Sequence, residues 1–318
     1  MTLKTLFSSV AALGLMTAPA VAETTLRAVT FQHQGVEMAG TLVLPADLEP
    51  GRKLPTVVVT GAWTSVKEQM PMTYAREMAE RGYAAFVFDF RGWGASGDLP
   101  QAIRYKEDPQ AKIADIKAAL EFVASLPEVD AARISGLGIC ASAGYMVDAT
   151  SGNARIRSVA LVAPWLQNAA IVNEVYGGAE GVAGLVAVSR AAEAKGGEII
   201  PAAGPVGAEG VLMPLGGYYF EPSRGAIPEY DNKWNNLGWE GWLAYHPADS
   251  AATFDKPLKI VHSEAAAIPQ GVRAFLGGMA GSAAVTWLDG IGQFDFYDQE
   301  QAVEAAADAV AAHFATAS

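Results

Sequence analysis

From Leu54 to the C-terminus, short uninterrupted apolar runs alternate with stretches of helical periodicity. The runs are Pro55–Thr60, Ala84–Phe90, Ile134–Ile139, Ser158–Val162, Leu258–Val261 and Ala284–Leu288. The helical stretches lie near 70–81, 111–125, 141–150, 269–280 and 298–315. A strand that is apolar at successive positions is buried on both faces, and helices between strands supply the cover. The alternation predicts an α/β fold, a mostly parallel sheet with helices on both faces. Ligands of such sheets bind at the carboxyl ends of the strands.

Two segments depart from this pattern. Residues Thr25–Phe31 and Val36–Leu44 alternate around a "HQG" turn and predict an antiparallel hairpin. Residues 165–250 are too long for an ordinary connection. Their first part is rich in Gly and Ala, and their second is dense in aromatics, with Trp234, Trp239, Trp242, Tyr218, Tyr219 and Phe220. We read this segment as a cap over the strand ends, the alternatives being a surface excursion or a contact between copies. The expected division is thus core over 23–164, cap over 165–250 and core again over 251–318.

Residues 1–22 carry Lys4, an apolar run from Leu6 to Met16 and a small-x-small Ala20-Val21-Ala22 before Glu23. This pattern predicts a signal peptide, too short to span a bilayer, and export to the periplasm or medium. No membrane anchor is expected. The net charge of −12 disfavours nucleic acid and anionic membrane surfaces as partners. Neither a nucleotide-binding glycine motif nor a metal-ligand cluster is visible, so no cofactor and no metal is expected. The oligomeric state is not legible.

The chemistry concentrates in "SGLGICASAGY", residues 135–145. It joins an apolar strand to a helix through a sharp turn, with Cys140 at the tip and small residues, Gly138 and Ser142, on either side. Cys140 is the only cysteine, so the chain has no internal disulfide. The helix beginning here aims free N–H groups at the tip. Their partial positive charge is expected to lower the thiol's pKa and favour the thiolate. The N–H of Ala141 is placed to donate to an oxyanion.

This strand-"GICAS"-helix resembles the nucleophile elbow of the α/β-hydrolase superfamily, with cysteine in the serine slot. "VVVTGAWTSVKEQ" resembles that fold's third-strand loop, which implies a second oxyanion N–H from Ala62 or Trp63. "FDFRGWGASG", "PLKIVHSEAAAIP" and "VTWLDGIGQFDFYD" resemble further loops of the fold, so the likeness covers almost all of the chain after residue 22. Cysteine at the elbow is similar to dienelactone hydrolases and to polyketide acyl transferase-like hydrolases. In the former a third-strand glutamate pairs with the resting thiol. Glu68 occupies that stretch here, the alternative being a solvated charge beside Lys67.

The resemblance also marks two departures. Ala266 stands where the fold's acid is expected, and Gln293 where its base histidine is expected. A glutamine forms hydrogen bonds but takes no proton at neutral pH. Acylation of a cysteine is less dependent on a base than acylation of a serine. Deacylation by water is expected to be slow. The substitutes we single out are His262 at a strand end, His246 in "AYHPADS", and Glu264 as a displaced acid orienting either one. Two functions remain open. One is an exported hydrolase or acyl transferase that attacks an ester, lactone or thioester through Cys140, with an apolar or acyl small molecule as substrate. The other is a non-catalytic protein that keeps the pocket to bind such a ligand.

Overall fold

The computed structural model describes residues 24–98 and 104–317. The expected signal peptide, residues 1–22, lies outside the described residues. The N-terminal hairpin is β1 (Thr25–His33) and β2 (Val36–Leu44), antiparallel, with Gln34 and Gly35 both at positive φ in the two-residue turn. The alternating region then gives β3 (Leu54–Thr60), α1 (Met70–Glu80), β4 (Ala84–Phe88), α2 (Pro109–Val123), β5 (Val129–Ile139), α3 (Ser142–Thr150) and β6 (Ile156–Val162). The segment that follows contains α4 (Ala169–Val175), α5 (Gly178–Ala194), the short pair β7 (Ile199–Pro201) and β8 (Lys233–Asn235), and α6 (Gly238–Leu243). A 3₁₀ turn (Pro247–Thr253) leads to β9 (Leu258–His262), α7 (Pro269–Gly278), β10 (Ala283–Trp287), α8 (Asp295–Asp298) and α9 (Glu300–Thr316).

Eight strands form one sheet in the order β1-β2-β4-β3-β5-β6-β9-β10. β2 pairs antiparallel with β4, and every pair from β4 to β10 is parallel. Every apolar run of the sequence is a strand of this sheet. Val57, Val58 and Val59 of β3 are all fully buried, as two-sided cover requires. Each such side chain contributes roughly 1.5–3 kcal/mol relative to an exposed one. Two elements differ from expectation by more than a residue or two at an end. β5 begins at Val129, because Asp130 and Arg133, ion-paired at 2.7 Å, interrupt the apolar run without ending the strand. The last helical stretch is two helices, because Gln299 leaves the helical region at ψ 115°.

The chain order reverses beside β3: β4 lies on one side of it and β5 on the other. Such a reversal opens a crevice at the strand ends. The register aligns Thr60 of β3 with Gly138 of β5, and Val162 of β6 with Ile139. The loops after β3, β5 and β6 therefore leave the sheet at one level.

Candidate active site

Cys140 sits at the turn between β5 and α3 with φ of 55°. An L-residue in this left-handed region is strained by about 1–2 kcal/mol. Backbone hydrogen bonds hold it there: Cys140 N–H donates to Val162 O at 3.1 Å, and Cys140 O accepts from Trp165 N at 2.9 Å and Ala143 N at 3.1 Å. Gly138 is required by space. A Cβ there would lie 2.7 Å from Ala143 Cα and 2.8 Å from Ser142 O, both backbone atoms. Ser142 clasps the turn, its Oγ accepting from Ile139 N at 3.2 Å and donating to Ile139 O at 3.1 Å. α3 is buried along most of its length, so the turn is anchored on both sides.

Donors surround the sulfur. The backbone N–H groups of Ala141 and Trp63, the Tyr297 hydroxyl and the Gln293 amide all bear on it. Of the two residues that the resemblance offers in this loop, Trp63 is the one whose N–H bears on the sulfur, and the Ala62 carbonyl accepts from Ser65 N and Oγ at 3.2 and 2.7 Å. Asp89 fixes this loop from below. Its buried carboxylate accepts from Lys67 N at 2.8 Å, Lys67 Nζ at 2.7 Å and Ala95 N at 3.0 Å.

The thiol differs from expectation. Burial pushes the Cys140 pKa up, and the Tyr297 hydroxyl, the two backbone amides and Gln293 only partly oppose the rise. Desolvation of a sulfur anion outweighs the donors because none of them carries a full charge. The resting group is a neutral thiol, not the thiolate that the helix terminus alone suggested.

Gln293 reaches the site and is locked within it. Its Nε2 donates to Ala163 O at 2.9 Å and to Tyr297 Oη at 3.1 Å, and its Oε1 accepts from Ala267 N at 3.0 Å. Ala266 lies buried in the loop after β9, and the neighbouring backbone N–H of Ala267 faces Gln293. The other candidates are not brought to the sulfur. Glu68 pairs with Lys67 Nζ at 2.6 Å and leaves the thiol without a carboxylate partner, because Lys67 is drawn inward to Asp89 and holds Glu68 beside it. His262 is fully buried against Trp287, with ring centroids 5.5 Å apart. Neither of its nitrogens makes a well-formed hydrogen bond, and burial lowers its pKa to about 4. His246 turns to Leu243 O at 3.2 Å and sits 3.9 Å from Asp249, outside the cavity wall. Glu264 is exposed and ion-paired with Arg273, so it orients neither histidine.

A cavity of about 200 Å³ opens over the sulfur. Cys140, Ala141, Gln293 and Tyr297 line it, together with Trp63 and Phe294. Residues 165–250 add Trp165, Met213, Leu215, Tyr219 and Trp242. Trp63 and Trp242 stack with centroids 4.9 Å apart. Among the described residues, no charged side chain lines the cavity. Sequence reasoning missed Tyr297. Its signal was the i, i+4 spacing from Gln293, which places both side chains on one side of a helical turn.

The dienelactone hydrolase family matches residues 38–174. An uncharacterised protein of Pseudomonas aeruginosa is 36% identical over 144 residues, covering 45% of this chain and 38% of that protein. A crystal structure of a hypothetical protein from the same species superposes with a TM-score of 0.80 at 24% identity, covering 95% of this chain and 96% of that one. A thiohydrolase of Eupenicillium brefeldianum is 34% identical over 110 residues, 35% of each chain. The α/β hydrolase of Penicillium sp. sh18 superposes with a TM-score of 0.70 at 19% identity, over 92% of this chain and 99% of that one. The sequence matches span 38% and 35% of the length of these two curated relatives. The sheet order, the strand-turn-helix at Cys140 and these likenesses together give the chain the α/β-hydrolase fold, and its residues 38–174 match the dienelactone hydrolase family.

Proposed function

We propose that the protein transfers or hydrolyses the acyl group of a neutral ester or thioester, with Cys140 as nucleophile. The observation that carries this reading is the convergence of the Trp63 and Ala141 N–H groups on a strained elbow sulfur at the base of an apolar cavity. When sulfur attacks a carbonyl, the new oxyanion takes the two N–H groups that bear on the thiol at rest. The cavity selects the acyl part. A dry apolar cavity of about 150 Å³ accepts benzene, so about 200 Å³ takes a single ring or a short chain together with its carbonyl. An uncharged lining disfavours carboxylates and amines. The name of the thiohydrolase relative is consistent with a thioester. Gln293 takes no proton from water, so the acyl-enzyme is long-lived and passes more readily to a bound alcohol, amine or thiol. Export, with residues 1–22 as leader, belongs to the same proposal, and N-terminal sequencing of protein recovered outside the cytoplasm tests it.

Incubation with p-nitrophenyl esters of increasing chain length, followed by intact mass measurement, tests the activity. One acyl adduct per chain, absent in Cys140→Ala and turning over slowly, is the expected result. Absence of both adduct and p-nitrophenol release rejects it. The locked Gln293 favours one rival, a binding protein that retains the pocket without turnover. Saturable binding of the same esters without any adduct supports that rival.

A further inference from the structure

We propose that Tyr297 is the proton carrier of this site, taking the thiol proton from Cys140 and delivering its own hydroxyl proton to the leaving group. The inference rests on the acyl-transfer reading above. Four groups hydrogen-bond the sulfur: Ala141 N–H, Trp63 N–H, the Gln293 amide and the Tyr297 hydroxyl. The N–H groups of Ala141 and Trp63 only donate. The Gln293 amide presents N–H to this region, while its Oε1 is engaged by Ala267 N at 3.0 Å. The Tyr297 oxygen alone among them has both a lone pair to accept a proton and a proton to give.

The local bonds aim it. Gln293 Nε2 donates to the Tyr297 oxygen at 3.1 Å, which turns the tyrosine's own hydrogen away from Gln293 and toward the cavity side. Burial keeps the phenol protonated. The ring is held edge-on by Tyr218 at 5.2 Å and packed by Phe294 at 5.7 Å. The preceding residue is pinned by a 2.8 Å bond from Tyr74 Oη to Phe296 O. Tyr297 also lines the cavity, and its hydroxyl hydrogen-bonds the sulfur.

The step balances without any further reactant. The bond from Sγ to the acyl carbon forms, and the bond from that carbon to the leaving oxygen or sulfur breaks. The thiol proton moves to Tyr297 Oη as the tyrosine's proton moves to the leaving atom, which departs as a neutral alcohol or thiol. Transfer to an acceptor runs the same exchange in reverse, and the tyrosine ends as it began. No anion of sulfur or phenol has to persist in a site where burial disfavours both.

The test compares wild type and Tyr297→Phe in single-turnover acylation by two esters of one acid. One leaves as p-nitrophenolate, which needs no proton, and the other as a simple alkyl alcohol, which does. The expected loss is about 100-fold or more for the alkyl ester, within the usual range for a positioned acid–base group, and at least tenfold smaller for the p-nitrophenyl ester. An equal loss on both, as a purely structural role gives, overturns the inference, and so does no loss. If the variant does not fold, wild type alone decides. Heavy water should slow acylation by the alkyl ester more than by the p-nitrophenyl ester, and equal slowing overturns the inference. Wild type that forms no adduct with any ester fails at the acyl-transfer reading itself. Wild type that acylates while showing no leaving-group dependence fails at Tyr297 alone.

Discussion

A thiol enclosed by hydrogen-bond donors yet stripped of water is a weak acid, and Cys140 is such a group. Gln293 lines the same cavity as this thiol. It bonds to Tyr297, Ala163 and Ala267, and as an amide it takes no proton at neutral pH. If Gln293 and Ala266 stand at the base and acid positions, as the resemblance implies, supplying that pair should speed water attack. Gln293→His with Ala266→Asp is expected to raise the rate of acyl-enzyme breakdown at least tenfold, since a positioned base contributes about 10²–10⁴-fold. The substitution gives up the bond to Ala163 O, a loss of about 1 kcal/mol. Deacylation followed by mass after a pulse of ester measures the gain. A folded double variant that deacylates no faster would show that these two positions are not the vacated base and acid.

At the scale of elements, the turn from β5 into α3 is held by space as much as by bonds. Gly138 allows the first turn of α3 to approach within contact of the strand it leaves, and α3 is itself pinned, with Gly144 packed on Pro247. Gly138→Ala must therefore displace backbone, not a flexible side chain. We expect a stability loss of about 1–3 kcal/mol and a large fall in acylation, because a shift at this turn moves sulfur and the Ala141 N–H together. Urea unfolding and single-turnover acylation read the two effects. A variant that keeps wild-type stability and rate would contradict the contact argument. The segment between β6 and β9 acts at the same scale. Its α6 places Trp242 against Trp63, and the bond from Trp242 Nε1 to Tyr176 Oη at 2.6 Å ties that ring to the end of α4. An aromatic-rich insertion thus becomes much of the cavity wall.

Across the whole molecule, the buried His262 couples protonation to stability. Its folded pKa of about 4 lies below the ordinary 6.5 of an unfolded histidine. The native state thus binds the proton less readily than the unfolded state. The stability it supports is complete above about pH 6.5 and is lost as the pH falls toward 4. By pH 4.5 the loss amounts to about 2–3 kcal/mol, from 1.36 kcal/mol per pKa unit. His262→Leu should remove this part of the acid sensitivity. Unfolding of both proteins at pH 7 and pH 4.5 measures it. An identical acid dependence in the two would show that His262 does not titrate in this way.

The sequence by itself determined the sheet and the tight strand-to-helix turn that carries Cys140. Uninterrupted apolar runs have one stable use, burial between helical layers, and a small-x-Cys-x-small turn between strand and helix has little steric freedom. These are local constraints, written in neighbouring residues. The fates of Glu68, His246, His262 and Glu264 were not legible in this way. Glu68 goes with its neighbour Lys67, which Asp89 draws inward; His246 bonds the Leu243 carbonyl three residues back; His262 packs on the Trp287 ring of the adjacent strand; and Glu264 pairs with Arg273 of α7. The protonation of Cys140 was likewise hidden, since the helix terminus is visible in sequence but the depth of burial that overrides it is not. Only the tertiary structure brought Tyr297 to the sulfur, from a different strand end in the last part of the chain. Hydrogen bonds and desolvation depend on atoms packed within a few ångströms, and it is folding of the complete sheet that decides which residues those are.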